Sequence, residues 1–565
     1  MSMSLMHVRV HVLVCSLLLF ANGISALTLD HLTWNLTSDT FFLTQPLFDI
    51  GRIVISDVFP EPSIPPKQLW EIAKQYTPNS RGFVLPLFDG NSHLGFSLLI
   101  DFERKFGLKI PVEVPHCGDL EIEIQEQLKV RFPSIRIFDV CDLAALAEYN
   151  GQKIFCQNVN HCHEIFRSFL IGVLAVVYST FDEIMLLDAD TQYFTDPTET
   201  WELEDVKQTG VLLFRDRVVE PYKFLLEPTE EEHQGLRRLH RFLGAFDPRP
   251  YRFLGHVASE PAPDEWVATM SSESFRHYKP SKLAMTTHAW NFLSGHNIDS
   301  SFVLWSKGKQ SRATTILASF VSLNGVPSPP SYGDKELFFF ACELAETSYA
   351  VSKYGAGSIT SNEPILNNTA LCGDALHFLP IRQPSQNWSL SANDGVPFYT
   401  NGDYISSWDP EHDKLFHTMS TPANFHLNVL KRSKTHVGCL QRRVVYGAGS
   451  ITSNEPILNN TALCGDALHF LPIRQPSQNW SLSANDGVPF YTNGDYISSW
   501  DPEHDKLFHT MSTPANFHLN VLKRSKTHVG CLQRRVVVNA SEAMRNAISE
   551  RIKALRELQF GFIGR

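Results

Sequence analysis

Two acidic residues stand one position apart, directly after an apolar run, in the segment EIMLLDADTQYF. Asp188 and Asp190 follow the apolar residues 184–187. An unpaired carboxylate is costly in an apolar core, so the chain must reach solvent here. Two carboxylates at this spacing can direct one oxygen to a sugar hydroxyl and another to a divalent cation, which often adds phosphate oxygens and water as ligands. The pair therefore indicates a nucleotide diphospho-sugar site, and a solvated strand end is the alternative.

Strand and helix patterns alternate around this acid pair. Apolar runs and turn residues predict strands at 82–88, 110–117, 134–140 and 184–187, and helices at 94–107, 166–179 and 332–345. The last helix carries Asp334 and Glu336 in its first turn. Alternation of this kind indicates parallel pairing in a doubly wound α/β sheet. Ligands of such sheets bind beyond the carboxyl ends of the strands, where the acid pair stands.

Composition sets broad limits on the class of protein. The 565 residues are 43% hydrophobic, which allows ordinary packed cores and excludes a disordered or fibrous chain. The net charge of -11 argues against a nucleic-acid partner, because phosphate backbones select basic surfaces. We therefore expect an acidic globular protein that binds no nucleic acid.

The N-terminus and the cysteines indicate the secretory lumen. An apolar run at 12–20 predicts a signal peptide within residues 1–26, with a signal anchor as the alternative, and proline-rich residues 27–80 read as a stem. Sequons at Asn35, Asn367, Asn387, Asn459, Asn479 and Asn539 agree with glycosylation there. In the cluster CQNVNHCH, Cys156 to His163, a disulfide is favoured over zinc because no second ligand pair lies nearby.

A long identical repeat interrupts the second half of the chain. Residues 354–445 recur letter for letter as 446–537, a period of 92 residues. Structural repeats normally diverge and need three or more units to share a core. The second copy therefore reads as a recent duplication or a gene-assembly error. Without it the chain has 565 − 92 = 473 residues, a suitable length for one domain, 81–445, and a C-terminal amphipathic helix, 538–565.

Several ordered motifs resemble glycosyltransferase family 71, the fungal-type α-1,3-mannosyltransferases. The first block provides Ser179, Phe181, Asp182, Glu183, Asp188, Asp190, Asp196, Pro197, Thr209, Gly210, Phe214, Asp216 and Arg217. The other blocks are RGFVLPLFDG, IPVEVPHCGDLE, HNIDSS, YGDKELFFFA and LCGDALHF. Six blocks in the same order, from residue 81 to residue 378, are far more specific than any one of them. The family often places a basic residue where this chain has Gly172, with Arg167 a turn and a half earlier.

The resemblance implies a fold, a reaction and a set of site residues. The fold is the GT-A type of nucleotide-diphospho-sugar transferase, a doubly wound mixed sheet flanked by helices. The expected reaction moves mannose from GDP-mannose to a glycan or glycoprotein acceptor with retention, in the Golgi lumen or membrane as a type II protein, with Mn²⁺ or Mg²⁺. The implied metal ligands are Asp188, Asp190 and His377; the donor-binding residues are Arg81, Gly82, Asp188 and Arg217; the catalytic candidates are Asp299, Asp334 and Glu336.

Alternatives remain for several of these assignments. His469 repeats His377, and the shorter connection to the preceding helix favours His377 as the metal ligand. Asp334 and Glu336 fit helix capping equally well. Another nucleotide-sugar donor, or a non-catalytic lumenal glycan-binding protein, is the alternative function. The acceptor, the oligomeric state and the choice between signal peptide and anchor are left open by the sequence.

Overall fold

The structure is a computed structural model of the chain. It describes residue 46 and residues 58–352 apart from 195, 217, 220–222, 229–236, 268–276 and 324. Beyond residue 352 it describes the backbone of strands between 357 and 539, and helical residues at 550, 551, 554, 555 and 558. The signal segment, Arg217, Met544, Ile548 and Ile552 lie outside the described residues.

The helices are short and lie between the strands of the catalytic region. They are α1 Pro66–Ala73, α2 Ser92–Phe106, α3 Ile122–Arg131, α4 Val140–Leu146, α5 Val159–Phe166, α6 Ile171–Tyr178, α7 Glu204–Thr209, α8 Arg238–Ala245, α9 Asp264–Val267, α10 Lys282–Met285, α11 Ser311–Phe320 and α12 Leu337–Leu344. Helix α2 ends as predicted at Gly107, whose φ of 78° permits the left-handed cap. Asp139 accepts from two amides at the start of α4.

The first eleven strands, in chain order, fall within residues 77–351. They are β1 Thr77–Val84, β2 Val112–His116, β3 Arg136–Asp139, β4 Glu148–Tyr149, β5 Gln152–Lys153, β6 Phe181–Leu187, β7 Thr191–Tyr193, β8 Val211–Arg215, β9 Val218–Val219, β10 Ile298–Ser306 and β11 Ala350–Val351. Seven of these form one sheet in the order β11-β8-β10-β6-β1-β2-β3. The predicted strands at 82–88, 110–117, 134–140 and 184–187 correspond to β1, β2, β3 and β6.

This seven-stranded sheet is mixed, and one strand makes it so. Strands β3, β2, β1 and β6 pair in parallel, whereas β10 runs antiparallel to both β6 and β8. The amino end of β10 therefore lies at the edge where β6 and β8 have their carboxyl ends. Helices flank the sheet, and buried aromatic residues such as Trp290 and Trp305 fill the core. The fold-class prediction of a doubly wound mixed sheet flanked by helices is confirmed.

Two disulfides join segments beside β2 and α5. Cys156 pairs with Cys162, which confirms the disulfide interpretation of that cluster over zinc, and Cys117 pairs with Cys141. The second bridge links the end of β2 to α4, so it fixes two neighbouring elements of the sheet edge. Among the described residues no single helix is long and apolar enough to cross a membrane; α5 and α6 pass that test only as a pair bent by 119°.

The stem is shorter than the sequence predicts. Helix α1 lies inside the predicted stem, yet Leu69 and Ala73 are completely buried, and β1 already begins at Thr77. The apolar side of α1 packs against α11 of the catalytic region. The folded domain therefore includes α1 and the start of β1, and the prolines that suggested a stem lie in the approach to α1 and at its first position.

The repeat contributes strands to a second sheet, which is described by its backbone. These strands are β12 Gly357–Thr360, β13 Ala370–Pro380, β14 Gly395–Asn401, β15 Thr418–Ser420, β16 Phe425–His426, β17 Cys464–Gly465, β18 Ala467–Leu471, β19 Val488–Asn493, β20 Thr510–Met511, β21 Phe517–His518, β22 Asn520–Val521, β23 Gly530–Gln533 and β24 Val537–Asn539. Strand β7 pairs with β14 of the first copy and with β19 of the second. Both copies therefore pair with the strand that follows the acid pair.

The C-terminal helix begins later than residue 538. Residues 537–539 form β24, which pairs with β15 and β20. The described helical residues start at Glu550, and Arg551, Ala554 and Leu555 are buried. This part of the predicted helix packs on the catalytic region, since Arg551 contacts residues beside β6 and within α2.

Candidate active site

The acid pair forms a turn beyond the carboxyl end of β6. Asp188 is exposed, Ala189 is buried, and Asp190 is half-buried. The Thr191 amide donates to the Asp188 carbonyl at 3.3 Å and closes the turn. One carboxylate thus reaches solvent directly and the other borders it, as a ligand for a bound ion or sugar must.

The Asp-Ser-Ser block at the start of β10 lies beside this turn. Antiparallel pairing places Phe302 opposite Leu187, and the Asp188 amide donates to the Ser301 carbonyl at 3.1 Å. Asp299 is completely buried and accepts from the Ser301 amide at 2.9 Å. Asp188 and Asp299, separated by 299 − 188 = 111 residues, therefore meet at one edge of the sheet.

Asp334 joins the same cluster through Ser300. The Ser300 hydroxyl donates to Asp334 Oδ1 at 2.8 Å. Burial raises the pKa of Asp334 to about 6; the Ser300 hydrogen bond and Lys335 oppose this rise. The Asp334 carboxyl can therefore gain or lose a proton near neutral pH. A group that accepts a proton from a sugar hydroxyl, or donates one to it, needs this property.

Glu336 organises the backbone from inside the cluster. Its Oε1 accepts from the amides of Asn297 at 2.8 Å and Ile298 at 3.4 Å, and His296 Nδ1 lies 3.7 Å away. Its Oε2 is buried without a hydrogen-bond partner in the described part of the chain. Burial raises the pKa of Glu336 to about 8. This carboxyl therefore shapes the start of β10 from a position closed to solvent.

Neither acid lies in the first turn of a helix, contrary to the sequence prediction. Helix α12 begins at Leu337, and Glu336 at its N-cap makes no side-chain cap bond. Both carboxylates are directed at β10 instead, so the capping alternative is wrong for these residues. Gly333, at φ 71°, turns the chain just before the acids, a conformation that glycine adopts readily.

Replacing Glu336 by glutamine should flatten the pH dependence of stability. A carboxyl with a raised folded-state pKa keeps its proton in the folded state up to about pH 8 but loses it near pH 4.5 when unfolded. The free energy of unfolding therefore falls as pH rises between these values. We expect the wild type to lose on the order of a few kcal/mol more than Glu336→Gln from pH 5 to pH 9. Denaturant unfolding at several pH values measures this, with the exposed Glu123→Gln as control; parallel curves for wild type and Glu336→Gln would contradict it.

Two cations in the cluster were not among the predicted site residues. Lys335 Nζ lies 2.9 Å from Asp216 Oδ2, and Arg215 Nη1 donates to Asn297 Oδ1 at 2.9 Å. Lys335 stands between the two predicted acids in the sequence, so its position was a usable signal. Arg215 is completely buried inside β8, where sequence reasoning expects an apolar residue.

Gly172 provides the space that Asp334 occupies. A Cβ atom at position 172 would lie 2.6 Å from Asp334 Oδ2. The position at which the resembling family often has a basic residue therefore faces this carboxylate directly. A cation there could form an ion pair with Asp334, whereas the glycine leaves room for its side chain.

Gly172→Ala should displace Asp334 and destabilise the fold. Crowding of this kind costs about 1–3 kcal/mol in a well-packed interior. The loss should shrink when Asp334 is also alanine, because the clashing oxygen is then absent. A double-mutant cycle by denaturant unfolding measures the coupling; Gly255→Ala, which meets no atom within 4 Å, is the control. Equal losses in both backgrounds would contradict the contact.

Arg81 and Gly82 are not brought to this edge. Register places Arg81 opposite Glu183, at the other end of β6 from the acid pair. The Arg81 Nε donates to Glu183 Oε2 at 2.6 Å, and a Cβ at Gly82 would meet the Phe181 ring. In this structure Arg81 is therefore ion-paired and Gly82 packs against Phe181, and their role in donor binding stays a prediction. Arg167, likewise, donates to the carbonyls of Cys117 and Gly118.

The acid pair fits a hard divalent cation, although it supplies only two side chains. Within the described residues no group of three His, Cys, Asp or Glu side chains is placed to hold a metal. Mg²⁺-type sites often need only one or two carboxylates when substrate phosphates complete the shell. The backbone of His377 lies on β13, opposite Tyr399 of β14, and Tyr399 is paired with Tyr193 of β7.

The structure places the acid turn and the acid cluster at one edge of a mixed α/β sheet. The chain belongs to the mannosyltransferase family Mannosyl_trans3, whose family model matches residues 80–378, more than half of the chain. This is the family of fungal α-1,3-mannosyltransferases, glycosyltransferase family 71, so the recognition made from the ordered motifs is confirmed. The matched range includes both acids of the turn and every acid of the cluster.

The individual relatives are distant in sequence, and each is much longer than the segment that matches this chain. Alpha-1,3-mannosyltransferase MNT2 of Saccharomyces cerevisiae is 23% identical over 256 residues, which are 44% of this chain and 39% of the relative. Alpha-1,3-mannosyltransferase MNT3 of the same yeast is 26% identical over 281 residues, 48% of this chain and 39% of the relative. The chain thus spans about two fifths of the length of these relatives.

Solved structures resemble this chain only weakly. Core-mannan synthase A (CmsA/Ktr4) from Aspergillus fumigatus, in a Mn/GDP form, is 12% identical with a TM-score of 0.29, over 48% of this chain and 72% of that one. The mannosyltransferase Ktr4p from S. cerevisiae in complex with GDP is 10% identical with a TM-score of 0.25, over 57% of this chain and 82% of that one. No inference about function rests on these two similarities.

Proposed function

We propose that this protein is an α-mannosyltransferase that moves mannose from GDP-mannose to a glycan acceptor, with retention and α-1,3 linkage. Family membership supports the reaction class, and one structural observation carries the site. Three acids, Asp299, Asp334 and Glu336, lie at the edge of the sheet that also carries the exposed Asp-x-Asp turn, although the sequence separates Asp188 from Glu336 by 336 − 188 = 148 residues. Carboxylates converging on an exposed turn are suited to hold a cation and to bind sugar hydroxyls.

On the donor side, Asp190 and Asp188 would hold Mn²⁺ or Mg²⁺, with Asp188 also able to contact the ribose. A bound ion of this kind supplies positive charge to a departing diphosphate. His377 is the proposed third protein ligand, although its side chain lies outside the described part. Arg217, also outside it, stays a prediction for the donor phosphates. Lys335 adds a positive charge to the cluster. It would stabilise the negative charge that develops on the departing diphosphate in an oxocarbenium-like transition state.

On the sugar side, the three predicted catalytic acids have different tasks. Asp334, whose pKa is raised to about 6, is the proposed contact for mannose or acceptor hydroxyls. Asp299 orders the Ser301 amide, and through it the backbone that bonds to Asp188. Glu336 is completely buried and accepts from the amides of Asn297 and Ile298 at the start of β10, so we assign it a positioning role.

The proposed setting is the secretory pathway, in the Golgi lumen or membrane. Two disulfides support an oxidising compartment, and six sequons agree with it. A type II anchor at residues 1–26 stays a prediction, since that segment lies outside the described residues. The proposed partners are the nucleotide sugar and a glycan or glycoprotein acceptor.

Two measurements on the full chain test this function. Calorimetry with GDP and Mn²⁺ should show binding that EDTA abolishes. A panel of GDP- and UDP-sugars should then show transfer from GDP-mannose alone. Transfer from a UDP-sugar would replace the donor, and absence of any GDP binding would favour a non-catalytic glycan-binding protein.

A further inference from the structure

An arginine from the end of the chain lies directly beneath the acid turn. Arg551 is completely buried, and its guanidinium donates to the carbonyls of Ala189 at 2.9 Å and Thr191 at 3.1 Å. It also donates to the Leu94 carbonyl at 3.0 Å and to Ser97 Oγ at 2.7 Å. One side chain therefore ties the turn to helix α2.

The two carbonyls of the turn belong to the residues on either side of Asp190. Fixing both leaves the peptide units around Asp190 little freedom to rotate. A planar guanidinium suits this task, because it presents five donors in a rigid fork, which an ammonium cannot reproduce. The orientation of the Asp190 carboxylate thus depends on a residue 551 − 190 = 361 positions later in the chain.

Charge supports the same arrangement. Asp101 and Asp190 both interact electrostatically with Arg551. Burial lowers the pKa of Arg551 to about 10, so the side chain keeps its charge at neutral pH. The guanidinium charge therefore attracts the Asp190 carboxylate, in addition to bonding the carbonyls on either side of it.

The segment that carries Arg551 is anchored independently of these bonds. Ala554 and Leu555 are buried, one helical turn beyond Arg551. The repeat follows β11 in the sequence, and Arg551, which follows the repeat, contacts the acid turn. Arg551, Ala554 and Leu555 are therefore part of the same folded unit as the acid turn, beyond the range that the family model matches.

We propose that Arg551 is a positioning residue for the donor site, which holds the turn from Ala189 to Thr191 so that Asp190 faces the cation and diphosphate. The proposal rests on the proposed function for the identity of the ligand. The effect of Arg551 on the turn itself does not depend on the proposed function. Removing the Arg551 guanidinium should increase the mobility of the turn, and weaker binding of metal and nucleotide should follow from that.

The test compares three variants of the full chain. Arg551→Lys keeps the charge and loses the fork, and Arg551→Met also loses the charge. Leu555→Ala is the control, since it removes packing from the same segment but no bond to the turn. Hydrogen exchange of the amides at 188–193 reads the turn directly, and calorimetry with Mn²⁺ and GDP reads binding.

Both Arg551 variants should exchange faster at 188–193 and bind Mn²⁺ and GDP about 10- to 100-fold more weakly, as loss of residues that orient metal ligands does. Leu555→Ala should lower the melting temperature and leave binding within about twofold, because it removes packing alone. Unchanged exchange and binding in Arg551→Lys and Arg551→Met would overturn the proposal.

The two proposals fail in distinguishable ways. If the wild type itself binds no Mn²⁺ and GDP, the proposed function fails, and the exchange rates still decide whether Arg551 holds the turn. If the wild type binds and both Arg551 variants bind equally well, the proposed function stands and the positioning role of Arg551 is wrong.

Discussion

Asp190→Ala is expected to abolish Mn²⁺-dependent mannose transfer, with kcat/KM at least about 1000-fold below wild type. Metal-assisted stabilisation of a leaving group contributes several kcal/mol, and each 1.36 kcal/mol is about tenfold in rate. The fold should survive, because Asp190 is half-buried in a turn whose backbone bonds do not use its side chain. Transfer from GDP-mannose at saturating Mn²⁺ is the measurement, with a melting curve on the same protein.

The matched control is Asp264→Ala, which removes a carboxylate that is 95% exposed and lies 3.0 Å from Lys279 Nζ. It should retain wild-type transfer. The transfer rate of Asp188→Ala should lie between those of Asp190→Ala and Asp264→Ala. The exposed Asp188 carboxylate shares the metal ion in one assignment and contacts the ribose in the other. An Asp190→Ala protein that folds and transfers mannose at the wild-type rate would show that the acid turn binds no catalytic metal.

Removing one copy of the repeat should leave the enzyme active, whereas removing both should inactivate it. Deleting 354–445 or 446–537 produces the same polypeptide, because the copies are identical. Strand β7 pairs with Tyr399 of the first copy and Tyr491 of the second, and these face His377 and His469 in register. Each copy therefore offers one strand pair and one histidine to the same place. Transfer by the full, single-copy and copy-free chains measures this.

Point variants decide which histidine is used in the full chain. His377→Ala should lower transfer by at least about 10- to 100-fold, the range seen when support of a metal site is lost. His469→Ala should have little effect, because the first copy keeps the short connection to α12 and β11. The reverse result would assign the ligand to the second copy, and an inactive single-copy chain would show that the duplication is a required module.

The position of the acid turn could be predicted because an apolar run has to end where a charge begins. The same logic located β1 and β2, whose buried residues form continuous runs, and β3, which is half-buried throughout. The ordered motifs supplied what spacing alone could not, since Asp299 precedes Asp334 by 334 − 299 = 35 residues and lies near Asp334 and Glu336 only through the antiparallel placement of β10.

Three features of the site escaped sequence reasoning for physical reasons. The ion pair of Arg81 could not be foreseen, because strand register places it opposite Glu183, and register depends on pairing that a single strand does not display. The start of α12 was misplaced because its two acids bond to β10 rather than to their own helix. Arg551 donates mainly to backbone carbonyls, which every residue carries, so no sequence motif in the turn identifies Arg551 as a partner.

The most direct test of the account is product analysis with the full chain, GDP-mannose, Mn²⁺ and a mannoside acceptor. NMR of the purified product reports both the anomeric configuration and the linkage. The account predicts an α-1,3-linked mannose, formed only when the metal is present and lost in Asp190→Ala. A β-linked product, or transfer that continues unchanged in EDTA, would contradict it.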